Sequence, residues 1–185
     1  MLRRFNSLRF FKAHDGAAAV EFALIAPILV VIYIGLTELG LGMMANRRTS
    51  HLAATVGDLV AQSESVTAAN LTDIFDIGTS ILQPFEGGTN LEIRVSSLKM
   101  GTDNKAHVEW SDDRNWTGTP YVENATTGTV ITSVTTSQLP VGEYLIMTEA
   151  SYTYTAPITK FLPAPVTFNY TFYHHPRSGG DVVRK

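Results

Sequence analysis

Between Phe22 and Thr37 the chain carries no charged residue, and from Ala17 to Ala45 only Glu21 and Glu38 interrupt an apolar run. A bilayer core is crossed by about 20 helical residues, so this run predicts one transmembrane helix with length to spare. Whatever else the chain folds into must hang from one end of that helix. Four basic residues, Arg3, Arg4, Arg9 and Lys12, precede it, against Arg47 and Arg48 soon after. The bias favours a cytoplasmic N-terminus and places the region after Ala45 on the opposite side. Leu2, Phe5, Leu8 and Phe11 recur at helical spacing among the bases, so the pre-helix segment can lie along the cytoplasmic leaflet.

A secretory signal peptide is cut after its apolar stretch at small residues. Here the exit reads Gly42-Met43-Met44-Ala45, and the small triplet Ala17-Ala18-Ala19 lies on the other side of the run. A retained anchor, or a cut made before the helix, is the better reading. Glu21 bears on that choice. A carboxylate inside a transmembrane helix costs on the order of 2.5 to 3.5 kcal/mol at mid-bilayer, less near the edge, and marks a functional partner. A cut after Gly16 would give Ala17 a free amine, charged near neutral pH. Glu21 would then be one helical turn away, roughly 6 Å along the axis. Its carboxylate could pair with its own amine or with that of a neighbouring helix staggered alongside. The plainer reading is a single-pass anchor with a Glu near its lipid interface.

The basic leader ending in Gly, with Glu then fifth and Phe sixth in the segment that follows, resembles the class III signal of type IV pilins. The longer string Gly16-Ala-Ala-Ala-Val-Glu21-Phe22-Ala-Leu-Ile-Ala-Pro27, followed by Gly35, Glu38 and Gly40, is similar to the TadE-like minor pilins or pseudopilins of Tad (tight adherence) pili. Glu143-Tyr144 to Tyr154, the run on to Pro157, and Pro176-Arg177 also look similar to the C-terminal halves of that family. The resemblance implies cleavage between Gly16 and Ala17 by a membrane-embedded aspartyl prepilin peptidase, then a role in pilus assembly at initiation, at the tip or in the inner-membrane complex. It implies as partners the peptidase, other Tad pilins and minor pilins, the inner-membrane assembly platform and membrane lipid. It assigns amine pairing to Glu21 beside Phe22. Pro27 removes one helical hydrogen bond, at the carbonyl near Ala23, and predicts a kink or a melted turn.

Three segments follow from this reading: a basic leader at 1–16, a transmembrane helix at 17–45 and a periplasmic α+β domain at 46–185. The last is about 140 residues, enough for one modest domain with its own core. The net charge of -3 gives no ground for a nucleic-acid partner. Absence of cysteine excludes disulfides and a thiolate metal site.

Past the membrane, Thr49 to Ser63 continues helically with Leu52, Val56, Leu59 and Val60 on one face, weakened slightly by Gly57. Thr67 or Asn70 can cap a second helix whose core stripe is Leu71, Ile74, Phe75, Ile77, Gly78, Ile81 and Leu82, stopped by Pro84 and Gly87-Gly88. From Leu91 the period changes to two. Leu91, Ile93 and Val95 alternate with Glu92, Arg94 and Ser96, and a turn at Gly101–Asn104 leads to a short strand ending at Trp110. Residues 111–128 read as an exposed loop. Strands follow near 129–135, at 143–155 with Tyr144, Ile146, Ala150, Tyr152 and Tyr154 on one face, and around Val166, Phe168, Tyr170 and Phe172. The expected fold is α+β and pilin-like: a long transmembrane and stalk helix, a second helix, and an antiparallel sheet that the helices cover.

No catalytic, metal or cofactor motif is present: no Gly-x-Ser-x-Gly, no phosphate loop, no His-Glu-x-x-His. His174 and His175 are adjacent on a strand end, where side chains point to opposite faces, and read as exposed surface. Asp112-Asp113 beside Arg114 reads as a solvated turn, and Trp110 and Trp116 as core or rim. The Asn-x-Thr triplets at Asn70, Asn115, Asn124 and Asn169 read as chance in a Thr-rich chain. The expected role is a non-enzymatic pilus subunit in the bacterial inner membrane. The alternative is a signal-anchored periplasmic binding module not processed at Gly16.

Overall fold

The computed structural model describes residues 14–115, 127–158 and 164–185. The leader through residue 13, Trp116 and Asn124 lie outside the described residues. A single helix, α1 (His14–Ala61), 48 residues and about 72 Å long, carries the apolar run and continues through Pro27. Its surroundings change along its length. From Ala18 to Thr37 its side chains are exposed or half-buried, whereas Ala45, Leu52, Ala53, Val56 and Val60 are fully buried. The membrane-length part is therefore a free stalk, and the remainder is a core helix of the domain.

A two-residue strand β1 (Ser65–Val66) leads into α2 (Ala68–Leu82). Thr67 is its N-cap: the hydroxyl accepts the Asn70 N–H at 3.2 Å, while the Asn70 side chain accepts the Thr67 N–H. This reciprocal box satisfies two donors that a helix start leaves open. At the other end Arg48 of α1 donates to the Ile81 carbonyl at 3.0 Å, a cation on a helix C-terminus. The stripe packs with one correction. Leu71, Phe75, Gly78 and Leu82 are buried and Ile74 and Ile81 partly so, but Ile77 is 48% exposed. It lies two positions from Phe75, beyond the arc that faces α1. A Cβ at Gly78 would lie 2.8 Å from Val56, so glycine permits the close crossing of the two helices.

The main sheet is antiparallel, in the order β4-β3-β2-β5-β6, built from β2 (Leu91–Met100), β3 (Ala106–Arg114), β4 (Val130–Ile131), β5 (Tyr144–Tyr154) and β6 (Val166–His174). With the two helices it makes the α+β architecture. The polar run Ser111–Arg114, expected in a loop, is strand. It pairs with Ile93–Ser96, and its side chains find partners: Ser111 with Ser96, Asp112 with Arg184, and Arg114 with Asp76 at 2.6 Å. The solvated turn expected at Asp112-Asp113 is thereby replaced. The strand expected over 129–135 shrinks to two residues. Both faces of the sheet carry core. Ile93, Val95, Ile146, Ala150, Tyr152 and Tyr154 pack with the helices, while Leu98, Met100, Leu145 and Met147 form a second cluster with Val108, Ile131, Val134 and Leu139. A last strand, β7 (Val183–Arg184), runs parallel to β1, and the Trp110 indole donates to the Val182 carbonyl at 2.7 Å.

Candidate functional site: the apolar stalk and its junction with the sheet

The Gly16–Ala17 peptide lies within the first turns of α1, and a Cβ built at Gly16 would meet nothing within 4 Å. Glycine lowers helix stability by about 1 kcal/mol relative to alanine, so the turn at Gly16 opens at smaller cost than its neighbours. Glu21 is exposed in the described chain, and Phe22 beside it is 71% exposed. From Val20 to Leu36 large apolar side chains project outward all round the helix, and from Leu39 to Met44 on only part of its circumference. A helix apolar on every side is stable only with lipid or other helices about it. This is the one stretch, among the described residues, long and apolar enough to cross a membrane, and none of its most apolar window is buried in the protein.

The stalk meets the domain at Glu38. Its side chain is only 3% exposed, and its Oε1 accepts the backbone N–H of Ile158 at 3.1 Å, just past the end of β5. Its Oε2 has no hydrogen-bond partner among the described residues, nor has the hydroxyl of buried Tyr154. Burial, and after it the Glu38 carboxylate, push the Tyr154 hydroxyl above its ordinary pKa. Above Glu38, the Tyr170 hydroxyl donates to Asn46 at 2.6 Å and ties β6 to α1. An open cavity of about 200 Å³ lies between these ties.

Two polar clusters, one buried in the sheet and one half-exposed beneath α1, escaped sequence reasoning. Arg94 of β2 pairs with Glu149 of β5 at 2.6 Å, both side chains almost fully buried. Burial raises the Glu149 carboxyl above its ordinary value against the pull of Arg94. The strict alternation around Arg94 was legible, but its partner is 55 residues away. The other cluster corrects the expected surface position of His174. His175 is exposed, but His174 packs beneath α1, where a Cβ at Gly57 would lie 2.6 Å from both its Nδ1 and the Thr148 hydroxyl. Burial holds His174 below its ordinary pKa. Beside it Arg177 pairs with Asp58 at 2.7 Å, and this hydrogen bond lowers the Asp58 carboxyl. No group of three His, Cys, Asp or Glu side chains among the described residues is arranged to hold a metal ion.

The geometry defines a class: an α+β domain carried on a continuous helix whose exposed apolar part is built as a membrane anchor. Residues 16–57 match the model of a family described as TadE-like protein. The match runs from Gly16, through Glu21, Phe22, Pro27 and Glu38, to Gly57 against the sheet, so the likeness to that family is carried by α1. The similarity noted at 143–157 and 176–177 lies outside the match. No curated protein and no solved structure matches the chain.

Proposed function

We propose that the protein is a minor pilin or pseudopilin of a Tad pilus, cleaved between Gly16 and Ala17 and assembled through its stalk helix. The observation that carries the reading is the TadE-like segment on an unbroken helix whose apolar side chains are exposed for its first half. Cleavage leaves Ala17 with a charged amine one turn from Glu21. In lipid that carboxylate is costly. A neighbouring subunit's amine compensates it as the helix leaves the bilayer, which makes pairing at Glu21 favour assembly over retention. The role is structural: the chain is the substrate of a peptidase, with the C-terminal domain on the periplasmic side.

N-terminal sequencing after co-expression with the prepilin peptidase tests this. The mature protein should begin at Ala17, and Gly16→Leu should leave the full-length precursor in the membrane. A wild-type chain still starting at Met1 or Leu2 would return the anchored binding module to first place.

A further inference from the structure

The cavity at the junction is lined on α1 by Leu39, Gly42 and Met43, one helical stripe, and on the sheet by Tyr154 at the end of β5 and Val166 and Phe168 at the start of β6. Its lining is almost wholly apolar, and it is open to the outside. The Asn46–Tyr170 hydrogen bond closes the end toward the domain. Isolated apolar clefts in a soluble domain are ordinary, but this one continues a surface already built for lipid. Val166 is 36% exposed, Leu39 56% and Met43 55%, in line with the exposed ladder from Val20 to Leu36.

Depth along the helix names the occupant. With Glu21 at one boundary, Leu39 lies about 27 Å and Met43 about 33 Å farther along the axis. The hydrocarbon core is about 30 Å thick. The mouth of the slot therefore sits where acyl chains meet their headgroups on the far side. Ile158, 39% exposed, lies at the same base of the domain.

We infer that the slot between α1 and the β5–β6 end holds the upper part of a phospholipid acyl chain, seating the base of the domain on the bilayer. This rests on the membrane-spanning reading of α1. The slot places Tyr154 and Phe168 at the membrane interface, where amphipathic and aromatic rings are favoured. It gives the domain a fixed lean on the stalk, with Glu38 and Asn46 as its two polar ties.

The test is photolabelling of the full chain in nanodiscs of phosphatidylethanolamine and phosphatidylglycerol doped with a phospholipid carrying a diazirine near one acyl carbonyl and, separately, near one acyl terminus. Adducts are mapped by mass spectrometry. Wild type should carry adducts on α1 with both probes, and on Tyr154, Val166 or Phe168 with the near-carbonyl probe. Gly42→Leu, which fills the slot, should lose the sheet adducts and keep those on α1. Gly42→Ala, whose methyl would meet Tyr154 at an ordinary 3.7 Å, should keep both. Labelled α1 with an unlabelled sheet in wild type overturns the slot alone, and so does sheet labelling unchanged in Gly42→Leu. An unlabelled α1 overturns the membrane reading itself. Chain-to-chain adducts at Phe168 in place of lipid adducts would give the slot to a second copy and overturn the inference.

Discussion

Glu38 of the stalk helix, itself buried, accepts the backbone N–H of half-exposed Ile158, 120 residues later in the chain, at 3.1 Å. A charge that interrupts the apolar run is thus the tie between the anchor and the end of the sheet. Glu38→Ala removes this part-buried hydrogen bond and should cost about 0.5 to 1.5 kcal/mol. Glu38→Gln keeps an accepting oxygen and should cost much less. Urea denaturation of the full chain in detergent micelles compares the two.

At Gly57 α1 lies close against the sheet. Alanine there would gain up to about 1 kcal/mol of helix propensity but would press on His174 and Thr148 at 2.6 Å. Overpacking of this kind costs about 1 to 3 kcal/mol, so Gly57→Ala should be destabilising. Gly40→Ala, where a Cβ meets nothing within 4 Å, should be neutral or stabilising. Thermal midpoints of the two variants should move in opposite directions, or Gly57→Ala alone should fall.

His174 makes the domain sensitive to acid. Its pKa is lowered in the folded state from an ordinary 6.5, because burial disfavours the charged ring; Asp58 opposes this shift and Arg177 reinforces it. The unfolded state then binds more protons below that pH, so the contribution is present above 6.5 and is lost as pH falls through the lowered value. His174→Gln should flatten stability against pH as pH falls below 6.5, relative to wild type. Parallel curves for the two proteins would show that His174 contributes nothing.

The Arg94–Glu149 pair bridges the two central strands. Arg94→Met leaves a buried carboxylate without this partner and should cost about 3 to 5 kcal/mol. The double substitution Arg94→Met with Glu149→Leu should recover part of the loss, since removing both charges avoids the unpaired state. A double-mutant cycle by chemical denaturation measures the coupling.

What was legible followed local rules. The apolar run, a cap at Thr67 or Asn70 (Thr67 in the structure), the stop after Leu82 and the alternation from Leu91 each depend on neighbours within a few residues. Trp110 was rightly placed at core or rim. What escaped depended on distant partners. Ser111–Arg114 looks like loop until Asp76 and Arg184 are beside it, and Val134 and Leu139 are isolated apolar residues until they cap the second face. A two-residue strand such as β7 is too short to show any period. Of the site, Glu21, Phe22 and Pro27 lie on the helix the sequence indicates, and Gly16, expected in the leader before it, lies on α1 as well; Glu38 has no partner visible in the sequence, and Gly57 reads there only as a weak helix former.

The most direct test of the account is pilus assembly by a processed Glu21→Ala protein. Removing the carboxylate eliminates its cost in lipid, so membrane insertion and cleavage after Gly16 should continue, while pairing with a neighbour's amine is lost. Glu21→Asp, with the charge kept and the reach shortened, should fall between. The account predicts correctly cleaved Glu21→Ala protein that neither co-purifies with other pilins nor supports piliation. Normal pili from that fully processed protein would contradict it.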